Sequence, residues 1–246
     1  MTKCPRLTLA IAVAILAMTG ACRPSPARKK SMVDVARPEQ TANFQRLYAA
    51  NCAACHGENG QGSVAVALAS PVYVEIADDD VIRKVIADGG PGKLSPAFSR
   101  SMGGLLTDQQ IAALVDGIRR WSKPEEFAGM QVPPRAENAP GNAQRGAVAF
   151  RMFCSSCHGL TGNGGKTPGS IVDPSLLALL SNQDLRTLVI VGLPQFGAPD
   201  WRDDVPGHPM TDRQISDVVA WLASHRVQFP GQPYLQESQT QEGSSE

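Results

Sequence analysis

The chain has 246 residues, enough for one large domain or two small ones. Apolar residues make up 42% and charged residues 19%, a balance that suits a packed globule and excludes wholesale disorder. Lys plus Arg equal Asp plus Glu at 23 each, which gives no electrostatic basis for nucleic acid as a partner.

The N-terminus predicts an export signal over residues 1–21. Lys3 and Arg6 precede an apolar run of 12 residues, Leu7 to Met18. As a helix this run spans about 18 Å, short of a roughly 30 Å hydrocarbon core, so a cleaved signal fits better than a permanent span. Thr19-Gly20-Ala21 then lead into Cys22, which resembles a bacterial lipoprotein signal in which the cysteine is lipidated and becomes the mature N-terminus. Thr19 stands where Leu is usual, and ordinary cleavage near Ala21 is the competing reading. Residues 22–40 read as a flexible tether. Five basic residues against two acidic ones suit it to an anionic bilayer surface.

Four of the six cysteines fall in two C-x-x-C-H strings, Cys52-Ala53-Ala54-Cys55-His56 and Cys154-Ser155-Ser156-Cys157-His158. Aligning them aligns much else. Tyr48 and Phe150 lie on approach helices, and glycine-rich loops follow each motif (Gly57, Gly60, Gly62; Gly159, Gly162, Gly164, Gly165). Pro71 and Pro174 come next, then Val81-Ile82-Arg83 and Asp184-Leu185-Arg186.

The closing helices agree best. Thr107-Asp108-Gln109-Gln110 and Thr211-Asp212-Arg213-Gln214 both predict capping boxes. Apolar stripes follow, Ile111, Leu114, Val115, Ile118 and Ile215, Val218, Val219, Leu222, one core-facing face per helix. This is an internal duplication, with domains expected over 41–123 and 142–228. Between them the Pro-rich segment 124–141 reads as a semi-extended linker, and 229–246 as a disordered tail. Each domain is neutral, with 8 basic against 8 acidic residues in the first and 7 against 7 in the second, so strong steering of a partner is not expected.

A C-x-x-C-H string offers two thiols that can add across haem vinyl groups and an adjacent imidazole that can bind the iron. Cys52, Cys55, Cys154 and Cys157 are therefore the expected attachment points for two covalently bound haems, with His56 and His158 as axial ligands. A zinc knuckle would draw both C-x-x-C pairs together, yet they lie 102 residues apart inside separately complete repeats. A thioredoxin-like pair wants a βαβ context, and none is visible.

On these residues both halves resemble class I cytochrome c domains. The resemblance covers 41–123 and 142–228 and implies an all-α fold: two tandem helical shells, each wrapped around a haem c, with first and last helices crossing. Gly146 and Phe150 fit the family's first-helix pattern of a small residue followed four later by an aromatic. The first domain has Phe44 in the small position, which implies a looser crossing. Pro71 and Pro174 fall where the resemblance implies a carbonyl that orients the proximal His; both also read as plain turn prolines.

The resemblance also implies a Met-Pro pair about forty residues after the His, with Met as sixth ligand. Leu94-Ser95-Pro96-Ala97-Phe98 and Gly197-Ala198-Pro199-Asp200-Trp201 keep the proline and an aromatic but put Ser95 and Ala198 in place of Met. Met102, Met210 and His208 are the nearby candidates. Without a replacement the iron is open to small ligands. The expected function is single-electron transfer in an extracytoplasmic, membrane-associated chain, with redox proteins or a membrane respiratory complex as partners. The alternative is a di-haem enzyme or ligand-binding protein.

Overall fold

The computed structural model describes residues 37–92, 94–165 and 169–227. The expected signal, Cys22, most of the tether and the expected tail lie outside the described residues. All regular structure described is helical, and two isolated bridges, Ser99 with Leu106 and Leu193 with Ala198, only close loops. No helix among the described residues is long and apolar enough to cross a membrane.

Each repeat supplies five helices in the same order. The first has α1 (Phe44–Asn51), α2 (Ala53–His56), α3 (Pro71–Ile76), α4 (Asp79–Asp88) and α5 (Asp108–Arg119). The second has α6 (Ala143–Phe153), α7 (Ser155–His158), α8 (Pro174–Leu179), α9 (Asn182–Val191) and α10 (Asp212–Ala223). Local chemistry sets the starts. The Asn43 and Asn142 side chains accept the Arg46 and Arg145 backbone N–H groups at the heads of α1 and α6. Pro71 and Pro174 open α3 and α8, where a missing N–H costs nothing.

Both expected capping boxes are present. Gln110 and Gln214 donate backbone N–H to the Thr107 and Thr211 hydroxyls, and their side-chain carbonyls accept from the Thr backbones. The residue before each cap, Leu106 or Met210, is buried. It stands at the position from which a side chain staples onto the helix's first apolar residue, Ile111 or Ile215. All eight residues of the two stripes are buried.

First and last helices pack in each domain, but by different means. On α6, a Cβ at Gly146 would overlap the Asp217 carbonyl, so α6 and α10 meet backbone to backbone. On α5, a Cβ at Gly117 would overlap the Phe44 ring, so a ring separates α1 from α5. Phe44, Tyr48 and Trp121 complete that layer with ring centroids 5.4 to 5.6 Å apart.

The Pro-rich linker is tied to its neighbours. It begins as a 3-10 turn, Pro124–Phe127, whose Phe127 is buried in a core that includes residues of both domains. Arg186, 2% exposed on α9, donates to the Pro134 and Arg135 carbonyls, to the Ser216 hydroxyl and to the Asp212 carboxylate. Its guanidinium fork thus ties the linker to α9 and α10 at once. Nearby, Asp217 accepts from the Asn142 backbone and bidentately from Arg145. Burial pushes that carboxyl up, but these bonds outweigh it and hold it below the usual carboxylate range. Both repeats belong to one compact unit.

Candidate functional site

The thiols and imidazole of each motif are brought together by one turn of helix. His56 donates its backbone N–H to the Cys52 carbonyl at 3.0 Å, and His158 does the same to Cys154 at 3.0 Å. Residues three and four apart in a helical turn share a face, so Cys52, Cys55 and His56 project to one side, as do Cys154, Cys157 and His158. The Tyr48 hydroxyl braces the first turn by donating to the Gly57 carbonyl at 2.9 Å. Phe150, its counterpart, instead stacks on Trp221 with centroids 4.0 Å apart.

The loop after each motif folds back over it. Gly62 donates to the His56 carbonyl at 2.8 Å and Ala65 to the Cys55 carbonyl at 2.9 Å. This brings the Val66 carbonyl to 2.8 Å from His56 Nδ1, which donates to it. The ring is thereby held as the Nδ1–H tautomer, and Nε2 keeps its lone pair. In the second domain Gly164 donates to the His158 carbonyl at 3.1 Å. His158 Nδ1 is buried with no partner among the described residues. Burial lowers the pKa of both imidazoles, with the Val66 carbonyl opposing the shift for His56, and neutral imidazole is the form that binds metal.

Two expectations about neighbouring residues change. Pro71 does not present the carbonyl that orients His56; Val66 does, because the glycine-rich loop closes ten residues after the histidine and Pro71 is already committed to α3. Pro174 likewise opens α8 and makes no bond to His158. The residue ten past His158 is Pro168, outside the described residues. Val66 is an apolar residue that acts through its backbone, so no side-chain pattern in the sequence marks it.

The candidate sixth ligands separate as well. Met210 is 1% exposed, its backbone donates to the Trp201 carbonyl, and it matches Leu106, whose backbone donates to the Phe98 carbonyl. It is a core residue closing the second domain, enclosed by protein on all sides. His208 is exposed in the loop before it, its backbone donating to the Val205 carbonyl. Met102 ends the 3-10 turn Arg100–Met102 and is 57% exposed, so its thioether is unclaimed by the core.

The residues fit a covalently attached haem. The four motif cysteines are free, in pairs on one face each. Burial, with the neighbouring Cys55 adding, pushes the Cys52 thiol up to about 11. Burial also pushes the Cys154 thiol up to about 12, with Asp204 and Cys157 adding. A redox-active C-x-x-C pair needs the opposite, a stabilised thiolate. No cluster of three or more His, Cys, Asp or Glu able to hold a metal occurs among the described residues. Beside each motif an apolar side chain stands in the open, Val64 and Leu160, each at least three-quarters exposed.

Crossing first and last helices, a thiol pair on one helical turn and an adjacent imidazole, all repeated once, define a tandem of cytochrome c-like helical domains. The chain belongs to the cytochrome c family, whose profile matches residues 42–120 and 143–226. That family implies covalent haem c. Among curated proteins it is similar to the cytochrome bc1 complex cytochrome c subunits of Mycobacterium bovis and Mycobacterium tuberculosis, 24% identical over 177 residues. The match covers 70% of this chain and 62% of those proteins, so the chain spans less than two thirds of their length. Among solved structures it is similar to the reducing HAO-like protein complex of Kuenenia stuttgartiensis, at 17% identity and TM-score 0.43, covering 76% of this chain and 97% of that one.

Proposed function

We propose that this chain is a di-haem electron-transfer protein working outside the cytoplasm. Cys52 and Cys55 would hold one haem c with His56 on its iron, and Cys154 and Cys157 the other with His158. A bound haem c supplies one-electron redox chemistry. The protein's own part is to fix the imidazole beside the two thiols. The observation that carries the reading is the His56 Nδ1–H bond to the Val66 carbonyl, which aims and electronically primes an imidazole directly beside two reduced thiols.

The particular setting rests on the sequence and the named relatives. An export-type N-terminus with Cys22 placed as in lipoproteins supports a lipid-anchored, periplasmic location. The Mycobacterium proteins are named as subunits of a cytochrome bc1 complex, which supports a membrane respiratory complex or its redox partners as donor and acceptor.

One observation favours a second reading at the second haem. Ala198 occupies the place of the family's methionine, and Met210 is consumed by the core. A haem held at Cys154, Cys157 and His158 without a methionine ligand would bind small ligands and would sit at lower potential than one with it. Ferric paramagnetic resonance of the holoprotein decides between them. Two low-spin signals support a closed carrier; one high-spin signal with rapid carbon monoxide or nitric oxide binding after reduction supports a ligand-binding second haem.

A further inference from the structure

The second domain reaches into the histidine-orienting loop of the first through the Gln195 side chain. Leu193 and Ala198 pair in both directions, Leu193 donating at 3.0 Å and Ala198 at 3.2 Å, and so close a six-residue loop around the 3-10 turn Pro194–Phe196. Gln195 stands at the apex of this loop. Its Nε2 donates to the Ser63 carbonyl at 3.0 Å and to the Ala65 carbonyl at 3.2 Å, across the domain boundary. The two acceptors fix the amide's orientation, since the flipped form would set oxygen against oxygen.

Gly62 makes the approach possible. It has φ +90°, and a Cβ there would lie 2.7 Å from the Gln195 amide. The loop that Gln195 grips is the one that folds over the first motif. Gly62 and Ala65 donate to the His56 and Cys55 carbonyls, and the next carbonyl after Ala65 is the Val66 oxygen that takes His56 Nδ1–H. On the other side, Gln195 lies three residues before Ala198, the position from which the family offers its sixth ligand. The second domain's Leu193–Ala198 loop therefore holds the loop that follows the motif in the first.

We infer that Gln195 is a positioning residue for the first haem: by holding the Ser63–Ala65 peptides it keeps the Val66 carbonyl on His56 and links the ligation of one site to the loop of the other. This rests on the proposed haem attachment at Cys52, Cys55 and His56. A carbonyl accepting from Nδ1 makes the imidazole a stronger donor, which favours ferric iron and lowers the potential. Releasing the loop weakens that bond, so the first haem's potential rises.

The test is a redox titration of the full-length holoprotein carrying Gln195→Met, which keeps length and apolar bulk but cannot donate, with Gln195→Ala as a second variant. Haem content by the alkaline pyridine spectrum is the check on attachment. The expected result is two haems per chain, one midpoint raised and the other unmoved, with faster hydrogen exchange at Gly62 and Ala65 but not at Gly164. Two haems with both midpoints unmoved, or both shifted alike, would overturn the inference while leaving the attachment reading intact. A wild-type protein without haem would overturn both.

Discussion

The Phe44 ring lies on the backbone of α5 at Gly117, and the second domain reverses the pair: its glycine is Gly146 on the first helix, against the Trp221 side chain of the last. Register from the two motifs and the two capping boxes matches Phe44 to Gly146 and Gly117 to Trp221. One bulky and one small residue fill each crossing, from opposite helices, so close packing is kept while the backbone separation changes. Gly117→Ala is expected to cost about 2 kcal/mol through overlap with the ring, despite the helix-propensity gain of about 1 kcal/mol. Adding Phe44→Leu should recover part of it, and denaturant midpoints of the single and double variants measure the coupling.

Met210 is expected to behave as a core residue. Met210→Leu should leave the absorption and paramagnetic spectra of the holoprotein unchanged and cost less than about 1.5 kcal/mol, whereas Met210→Ala should cost roughly 2–4 kcal/mol. Loss of a far-red Met-to-iron band in Met210→Leu would show that this thioether reaches the iron.

Arg186 holds the linker to the second domain with a buried guanidinium, and no other residue type offers that fork. Arg186→Met is expected to cost about 3 kcal/mol by freeing the linker and leaving Asp212 without its buried partner. Limited proteolysis should then cut within residues 128–141, a segment expected to resist cleavage in the unaltered protein.

Asp204 gives the second domain a pH dependence. Burial, with Asp200 and Asp203 adding like charge, pushes its carboxyl up to about 7. The folded value lies above the unfolded one, so its contribution is fully present below the usual carboxylate range and is lost as pH rises through about 7. Asp204→Asn should flatten that decline in chemical-denaturation midpoints between pH 4 and pH 8 (about the span of the two values). An unchanged slope would assign the pH dependence elsewhere.

Much of this architecture is written in local patterns. The C-x-x-C-H strings, the Thr-x-x-Gln caps and the apolar stripes each follow from interactions within a few residues, and all three recur on helices where expected. What stayed hidden depends on contacts between distant segments. Arg83 and Arg186 hold the same place in the repeat, yet Arg83 is exposed and Arg186 is buried, because the linker's Pro134 and Arg135 carbonyls lie over Arg186. Arg119 and Arg226 are three residues out of register, yet Arg119 donates to the Val74 and Ala77 carbonyls and Arg226 to their counterparts at Leu177 and Leu180. Val66 acts through a carbonyl, which no side-chain pattern reports, and Gln195 acts on a loop 130 residues away.

Peptide mass spectrometry of mature protein from its native host tests the central claim most directly. The peptides spanning Cys52–His56 and Cys154–His158 are expected each to carry one porphyrin joined by two thioether bonds that survives acid extraction. Recovery of both peptides with four unmodified thiols would contradict it.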